Sequence, residues 1–211
     1  MSEPQITLYG VQLSGHVHRV ALLLRMLEIS YRFIEATAEV RRSREFLQLN
    51  PLGQIPVLQD GEIVLPDSNA ILVYLAKRYA PGSPWLPEEP IAASRVQRWL
   101  SIAAGEVAYG PATARAIALW GRPGDPARAG QVADRLFQFM DAHLGGRAYL
   151  AAEHPTIADL ACYAYTAHAP EGGISLEPYG ALRSWLSRIE ALPGFQPMPR
   201  SALPPQASRV S

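Results

Sequence analysis

The chain has 211 residues, of which 48% are hydrophobic and 18% are charged, and its 19 acidic side chains balance 19 basic ones. This composition is that of an ordinary globular protein, which excludes a disordered or fibrous chain, and the length allows one large domain or two smaller ones. There is no basic excess that would predict binding to nucleic acid or an anionic membrane, and no run of about 18 apolar residues that would predict a membrane span.

The N-terminal residues and the cysteine content predict the compartment. The opening sequence, MSEPQITLYG, has neither the basic region nor the apolar region of a secretion signal. Cys162 is the only cysteine, so neither an intramolecular disulfide nor a protein-borne dithiol pair can form. Both observations predict a reducing compartment, most simply the cytoplasm.

Strand and helix patterns alternate over residues 1–80. Alternating apolar residues predict strands, apolar residues at helical spacing predict helices, and an Asp-Gly pair predicts a hairpin turn. The predicted elements are a strand at Ile6–Gly10, a helix from about Gly15 to Glu28, a strand at Tyr31–Ala36, a short helix at Ser43–Leu49, a hairpin over Ile55–Leu65 and a helix opened by Asp67 and Ser68. This βαβαββα order is typical of an α/β layer.

The pattern changes after residue 80. Four prolines lie within Pro81–Pro90, which predicts a stiff linker. Residues 91–211 show no strand pattern, and their tail from about residue 197 is rich in Pro and Ser and is predicted to be irregular. The predicted helices lie at about 91–119, 126–145, 156–170 and 179–191. We therefore predict an α/β domain at 1–80, a linker at 81–90 and an all-helical domain at 91–211.

Three motifs in this order resemble the cytosolic glutathione S-transferases. They are NPLGQIPVL at Asn50–Leu58, LPDSNAILVYLAKRY at Leu65–Tyr79 and TIADLACYAY at Thr156–Tyr165. The third motif is similar to the family's capping box, in which Thr156 caps the helix and Asp159 reaches back. The similarity covers about residues 5–196. It implies the fold of that superfamily, an N-terminal thioredoxin-like βαβαββα domain followed by an all-helical C-terminal domain, and a bacterial member of the Ser type, similar to the zeta, theta and nu classes.

The resemblance implies that the two motifs of the α/β domain hold glutathione, the co-substrate. Pro56 matches the cis-proline of the thioredoxin-like fold, which turns the backbone of Ile55 toward the cleft. There the N–H and C=O of Ile55 pair with the cysteinyl part of glutathione. Gln54 resembles the residue that contacts the backbone of the tripeptide.

The resemblance also implies contacts for the charged ends of glutathione. Ser68 is predicted at a helix N-terminus, where free N–H groups and the helix dipole favour the γ-glutamyl carboxylate. Asp67, just before it, is placed for the ammonium group. Either Arg41 or Arg42 is placed to meet the glycine carboxylate, and the sequence does not distinguish between them.

The segment VQLSGHVHRVALLL, Val11–Leu24, holds the candidate thiol activator. The thiolate is the nucleophile, and at a thiol pKa of about 8.5 only a few per cent of free glutathione is ionised at pH 7. Ser14 aligns with the first Ser of the zeta-class Ser-Ser-Cys motif, which implies that its hydroxyl stabilises the thiolate. Here the motif is Ser-Gly-His, with His16 in the place of the Cys, which argues against Cys-dependent glutaredoxin-like or omega-like chemistry and weakens the case for zeta-type isomerase chemistry.

Three alternatives stay open for this segment. Ser14 can be only a helix N-cap, although capping and thiol contact are compatible. Tyr9 is the second candidate activator, because the alpha, mu and pi classes take a Tyr hydroxyl from the end of the first strand. A metal at His16 and His18 is disfavoured, because residues i and i+2 of a helix point about 200° apart and no further ligand cluster is present. No metal is therefore predicted.

The second-substrate site is expected between the domains. His16 is a candidate wall of this site or a second donor to the sulfur. The helix over Gly105–Trp120 contains a Gly-Pro pair that predicts a kink, and its Tyr109 and Arg115 are candidates to face the sulfur. In the alternative interpretation Tyr109 packs and Arg115 pairs with Glu106 or another acid.

The resemblance implies a glutathione transferase that uses Ser14 to activate the thiol for attack on a small electrophile. The alternatives are a glutathione-dependent peroxidase or disulfide reductase, an isomerase or dehalogenase, and a non-catalytic scaffold of the same fold. Retention of the protein on immobilised glutathione distinguishes a glutathione-binding enzyme from a non-catalytic scaffold. A two-fold homodimer is expected from the family, and neither nucleic acid nor membrane is an expected partner. The electrophile is not predicted, because fold does not fix substrate.

Overall fold

The computed structural model describes residues 5–201. Its N-terminal part is a four-stranded mixed sheet in the order β2-β1-β3-β4. The strands are β1 (Ile6–Gly10), β2 (Tyr31–Glu35), β3 (Val57–Asp60) and β4 (Ile63–Pro66). β1 and β2 are parallel, whereas β3 is antiparallel to both β1 and β4.

Eight α-helices cover or follow this sheet in the described residues. They are α1 (Gly15–Met26), α2 (Arg44–Leu49), α3 (Ser68–Tyr79), α4 (Pro90–Ala104), α5 (Thr113–Trp120), α6 (Pro126–Leu144), α7 (Ile157–Ala167) and α8 (Gly180–Glu190). Ile6 and Leu8 of β1 join the large core with α1 and α3, whereas Tyr9, on the other face of the sheet, packs in a small cluster with Phe46 of α2. The predicted architecture, a βαβαββα domain followed by an all-helical region, is confirmed.

One predicted helix is divided at its predicted kink. The stretch predicted as a single helix at 91–119 divides into α4 and α5, with a π-helical turn at Ala108–Ala112 between them. Gly110 lies in this turn against α6, where a Cβ atom would come within 2.9 Å of the backbone nitrogen of Ala133. Pro111 has no N–H to donate. The predicted kink therefore takes the form of a wider helical turn that lets two backbones approach closely.

Helix α7 lies at the centre of the helical region, and ten of its eleven residues are buried. The predicted capping box is confirmed: Thr156 N–H donates to Oδ2 of Asp159 at 2.8 Å, and Thr156 Oγ1 accepts from Ala158 N–H at 3.3 Å. Of the predicted irregular tail, residues 197–201 form neither helix nor strand, and the remainder lies outside the described residues. No helix within residues 5–201 is both long and apolar enough to cross a membrane.

Buried histidines make the stability of this fold sensitive to acid. Burial lowers the pKa of His18 to about 4, an effect that the hydrogen bond to the Gln196 carbonyl only partly offsets. The unfolded chain binds a proton at this histidine below about pH 6.5, whereas the folded chain does not until about pH 4. Folding stability therefore falls as the pH drops through this window, because the unfolded state binds more protons there.

We expect the His18→Gln variant to lose part of this acid sensitivity. Between about pH 6.5 and pH 4.5 the free energy of unfolding of wild type should fall more steeply than that of the variant, by about 1 kcal/mol per pH unit. Denaturant unfolding at several pH values measures both slopes. Equal slopes for the two proteins would contradict the assignment of His18 as a buried neutral group.

Candidate functional site

The strand register brings the candidate segments to one edge of the sheet. Tyr9 of β1 lies opposite Val57 of β3, and Val57 lies opposite Pro66 of β4. The chain therefore leaves β1, enters β3 and leaves β4 at the same edge. Ser14 and Ile55, in the loops beside these strand ends, and Ser68, at the start of α3, therefore lie near one another, as the sequence predicts.

Ser14 is the N-cap of α1. Its Oγ accepts a long hydrogen bond from Val17 N–H at 3.4 Å, and its own N–H donates to Val11 O at 3.1 Å. The hydroxyl hydrogen is not used by this cap, because a serine hydroxyl has one donor hydrogen and two acceptor lone pairs. The capping role and a donor role toward a ligand sulfur are therefore compatible in this geometry.

Asp67 and Ser68 form the N-terminus of α3. Oδ1 of Asp67 accepts from Asn69 N–H and Ala70 N–H, each at 2.9 Å, so the carboxylate caps the helix through one oxygen. Asp67 has a positive φ of 72°, and Ser68 is only 5% exposed. The N-terminus of α3 thus places the carboxylate of Asp67 and the hydroxyl of Ser68 beside the positive end of the helix dipole.

Arg19 is a candidate site residue that was not predicted from the sequence. Its side chain is fully buried below the N-terminus of α3, where Nη1 donates to Ser68 Oγ at 3.2 Å and to Asn69 Oδ1 at 2.9 Å. Burial lowers the pKa of the guanidinium. Arg19 therefore orients Ser68 and adds positive charge behind it. One sequence signal could have identified Arg19. It lies four residues after Gly15, on the face of α1 that helical periodicity predicts to be buried.

His16 lies on the side of the cleft occupied by α3. Its Nδ1 is 3.5 Å from Ser68 Oγ, and its ring packs edge-on against Tyr165 at 4.9 Å between centroids. Burial, together with the charge of Arg19, lowers the pKa of His16 to about 3, so its imidazole is neutral at physiological pH. The structure groups His16 with Ser68 and Arg19, and not with the other two residues predicted for the second-substrate site.

The segment before β3 presents backbone groups at the same edge. The Ile55–Pro56 peptide bond is cis, as the resemblance implied. Among the described residues, neither the N–H nor the C=O of Ile55 has a hydrogen-bond partner. Gln54 is exposed, and its carbonyl accepts from the buried side chain of Asn50 at 2.9 Å, which holds this loop in place.

The two candidate arginines differ in their surroundings. Arg41 is partly buried, and its Nε donates to Thr37 O at 3.3 Å, whereas Arg42 is exposed. Burial lowers the pKa of Arg41, and the charges of Arg122 and Arg42 lower it further. Since Arg122 follows α5, positive charge from both parts of the chain meets at Arg41.

The alternative activator, Tyr9, has another partner. Its hydroxyl donates to Gln59 Oε1 at 3.1 Å, and its ring packs edge-on against Phe46 of α2 at 6.2 Å between centroids. Tyr9 thus belongs to the cluster on the face of the sheet that is remote from α1. This contact disfavours Tyr9 as a donor to a ligand held near Ser14.

The other two residues predicted for the second-substrate site, Tyr109 and Arg115, have surroundings different from those of His16. Arg115 is fully buried and pairs with Glu171, with 2.6 Å between Nε and Oε2, so its predicted exposure to the cleft is corrected. The alternative interpretation, pairing with an acid, matches the structure, although the acid is Glu171 and not Glu106. Tyr109 does not pack but is 70% exposed, in a groove of about 600 Å³ that it shares with residues of α6 such as Arg128.

His18 packs against the segment that follows α8. It is buried, with Nε2 at 2.8 Å from Gln196 O in the segment after α8. Within residues 5–201 there is no group of three or more His, Cys, Asp or Glu side chains arranged to hold a metal ion.

Comparison with known proteins places this geometry in one family. Residues 8–85 match the family model of the glutathione S-transferase N-terminal domain, and residues 125–193 match that of the C-terminal domain. Glutathione S-transferase 3 of Zea mays is 32% identical over 206 residues, which cover 90% of this chain and 91% of the relative. Glutathione S-transferase theta-2 of Homo sapiens is 31% identical, with 81% of this chain and 73% of the relative covered.

Solved structures give the same result. A glutathione S-transferase from Pseudomonas fluorescens Pf-5 superposes with a TM-score of 0.86 at 32% identity, covering 92% of this chain and 98% of the other. A glutathione transferase homolog from Drosophila mojavensis, solved with bound glutathione, superposes with a TM-score of 0.81 at 26% identity, covering 90% and 89% of the two chains.

Proposed function

The chain belongs to the glutathione S-transferase family and is an enzyme of that family, and we propose that Ser14 stabilises the thiolate of bound glutathione for attack on an electrophile. The observation that carries this proposal is the Ser14 hydroxyl at the N-terminus of α1, whose oxygen accepts from Val17 N–H while its hydrogen is free to donate. The comparison of turnover between wild type and Ser14→Ala, with a model aryl halide as the electrophile, tests it.

The expected chemistry follows from the ionisation of the thiol. A donor hydrogen and a helix N-terminus both favour the anion, and each unit by which the thiol pKa falls is about 1.4 kcal/mol of preference for the thiolate. The thiol proton leaves to solvent. The sulfur then forms a bond to the electrophilic carbon, and the leaving group departs with the bonding pair.

The proposed placement of glutathione uses the unpaired groups at the sheet edge. The free N–H and C=O of Ile55 pair with the cysteinyl part, and Gln54 lies beside the tripeptide backbone. The γ-glutamyl carboxylate meets Ser68 at the start of α3, where Arg19 adds positive charge. The second oxygen of Asp67 takes the ammonium group.

For the glycine carboxylate we propose Arg41 rather than Arg42. Arg41 is partly buried and lies within the field of Arg122 as well as Arg42, so an anion beside it relieves repulsion among like charges. Arg42 is exposed, and an exposed ion pair contributes less because solvent screens it.

Peroxide or disulfide reduction is the second candidate function, and it would use the thiol of glutathione itself. Cys162 is fully buried, and burial raises the pKa of its thiol to about 12, so it is not a protein nucleophile. Isomerase chemistry would use the same glutathione site with a different second substrate. We also propose a two-fold homodimer and a cytoplasmic location, both carried from the family, and light scattering of the purified protein tests the dimer.

The Asp67→Asn variant is expected to weaken glutathione binding without disturbing α3. Asparagine is as good an N-cap as aspartate and tolerates a positive φ, so the two bonds to Asn69 and Ala70 are kept. Only the charge that faces the ammonium group is lost. A charge-assisted hydrogen bond contributes about 1.5–3 kcal/mol, so the dissociation constant should rise about tenfold or more.

Calorimetric titration with S-methylglutathione measures this change. A glutathione analogue that lacks the α-amino group is the matched control, and it should bind the wild type and Asp67→Asn with equal affinity. An unchanged dissociation constant for the complete ligand would remove the assignment of Asp67 to the ammonium group.

A further inference from the structure

The buried side chain of Arg115 connects the helical region to the loop that carries Ser14. Arg115 Nη1 donates to the carbonyl of Leu13 at 2.8 Å, and the two residues are 102 positions apart in the sequence. Leu13 directly precedes Ser14. The loop from Val11 to Ser14 has one hydrogen bond of its own, between its two ends, so the bond from Arg115 is a second, independent anchor for it.

Glu171 fixes the other side of the same guanidinium. Its Oε2 is 2.6 Å from Arg115 Nε, and its Oε1 is 2.7 Å from His168 Nδ1. Although burial opposes ionisation of Glu171, the hydrogen bonds from His168 and Arg115 outweigh this effect and hold the pKa of its carboxyl below the usual value. The buried arginine therefore has an ionised partner, as a buried charge requires.

The packing around the pair leaves the guanidinium little freedom. Gly172 closes a 3₁₀ turn at Ala169–Gly172 that lies against α5, and a Cβ atom at Gly172 would come within 2.7 Å of the backbone nitrogen of Arg115. Only glycine allows this approach. On the other side, the guanidinium carbon lies 5.1 Å from the ring centroid of Trp120.

We propose that Arg115, held by Glu171, is a positioning residue that fixes the Leu13–Ser14 peptide and thereby aims the Ser14 hydroxyl at the sulfur of glutathione. This inference rests on the function proposed for Ser14. In this proposal the helical region not only forms a wall of the second-substrate site. It also sets the geometry of the thiol activator, Ser14, in the N-terminal part of the chain. Small displacements of such a group are costly, since a misplacement of about 1 Å can lower a rate about a hundredfold.

The test compares the ionisation of bound glutathione in four proteins. The double variant Arg115→Met with Glu171→Gln removes the bond to Leu13 without leaving a buried unpaired charge. Arg115→Lys keeps a positive charge for the ion pair with Glu171. Lysine has a single nitrogen, whereas arginine uses Nε for Glu171 and Nη1 for Leu13. Arg188→Met is the matched control, because Nε of Arg188 also donates to a backbone carbonyl, that of Ala148 at 2.9 Å, within the helical region. Wild type completes the set.

We expect the double variant to raise the pKa of the bound thiol by about one unit and to lower kcat/KM about tenfold at about pH 6.5, with recovery at higher pH where the thiol ionises unaided. Affinity for S-methylglutathione should stay within about twofold, since the groups proposed to bind the charged ends of glutathione are untouched. In Arg115→Lys the thiol pKa should rise and kcat/KM should fall by smaller amounts. In Arg188→Met both quantities should equal those of wild type. The melting temperature of each variant records whether it is folded.

Three results would overturn the inference. The first is a bound-thiol pKa equal to that of wild type in both Arg115 variants. The second is a loss of activity in these variants that is equal at every pH and is matched by a loss of affinity for S-methylglutathione, which would indicate a structural role alone. If the double variant does not fold, Arg115→Lys decides the question. The Ser14→Ala variant, titrated as a fifth protein, separates the two proposals. If its bound-thiol pKa equals that of wild type, Ser14 has no role in activation, and Arg115 has none through it.

Discussion

Replacement of Ser14 by alanine is expected to lower kcat/KM about a hundredfold at about pH 6.5, while the affinity for S-methylglutathione changes by no more than about twofold. In the proposed mechanism the hydroxyl acts on the thiolate and not on the charged ends of the tripeptide, so its loss is expected to affect ionisation and attack rather than binding. The deficit should shrink as the pH rises toward the free thiol pKa of about 8.5. Steady-state kinetics over this pH range measure it.

Ser43→Ala is the matched control for the capping role of Ser14. Ser43 caps α2 in the same way, with its Oγ accepting from Phe46 N–H at 3.2 Å, and both substitutions should lower stability by about 1 kcal/mol. Only Ser14→Ala should lower activity. If the two variants retain equal activity, Ser14 is a cap alone, and Tyr9→Phe becomes the next substitution to examine.

The second large effect is expected at Asp159. Its fully buried carboxylate accepts four hydrogen bonds, from the backbone N–H groups of Leu150 and Thr156, the hydroxyl of Thr156 and the indole of Trp185. Asp159→Ala leaves these buried donors without a partner, at a cost of about 1–3 kcal/mol each, partly offset because the carboxylate no longer has to be desolvated. We expect the free energy of unfolding to fall by about 3–5 kcal/mol, a large part of the stability of a typical domain.

Chemical denaturation of Asp159→Ala and of Asp125→Ala measures this effect. Asp125 caps α6 by accepting from two backbone N–H groups at an exposed site, so its replacement removes a cap without stranding buried donors, and should cost about 1 kcal/mol. We infer that Asp159 stabilises α8 and the loop before α7 as well as α7 itself. A loss of unfolding free energy in Asp159→Ala no larger than that in Asp125→Ala would contradict this inference.

The sequence predicted the fold well where the signals are local. The hairpin turn, the N-caps at Ser14 and Asp67 and the capping box at Thr156 each depend on residues within about four positions of one another, which a single sequence displays. The convergence of Ser14, Ile55 and Ser68 on one edge of the sheet follows from strand order, and it was inferred from the resemblance rather than from the residues alone.

The errors occur where contacts are long-range. For Arg115 the sequence left two interpretations open, a position facing the sulfur and a pair with an acid, because its partners, Leu13 and Glu171, are 102 and 56 positions away. Arg19 was passed over because helical periodicity identifies a buried face without naming the partner that makes a charge acceptable there. The kink at Gly110 and Pro111 was predicted, but the π-helical turn that divides α4 from α5 was not, because its cause is the long-range approach of α6 to Gly110.

The most direct test of the central claim is the ultraviolet absorbance of the thiolate, followed as a function of pH for glutathione bound to wild type and to Ser14→Ala. We predict a bound-thiol pKa well below the free value of about 8.5 in wild type, and a return toward that value in the variant. The same pKa in both proteins, or no shift in wild type, would contradict the role of Ser14 as the thiol activator.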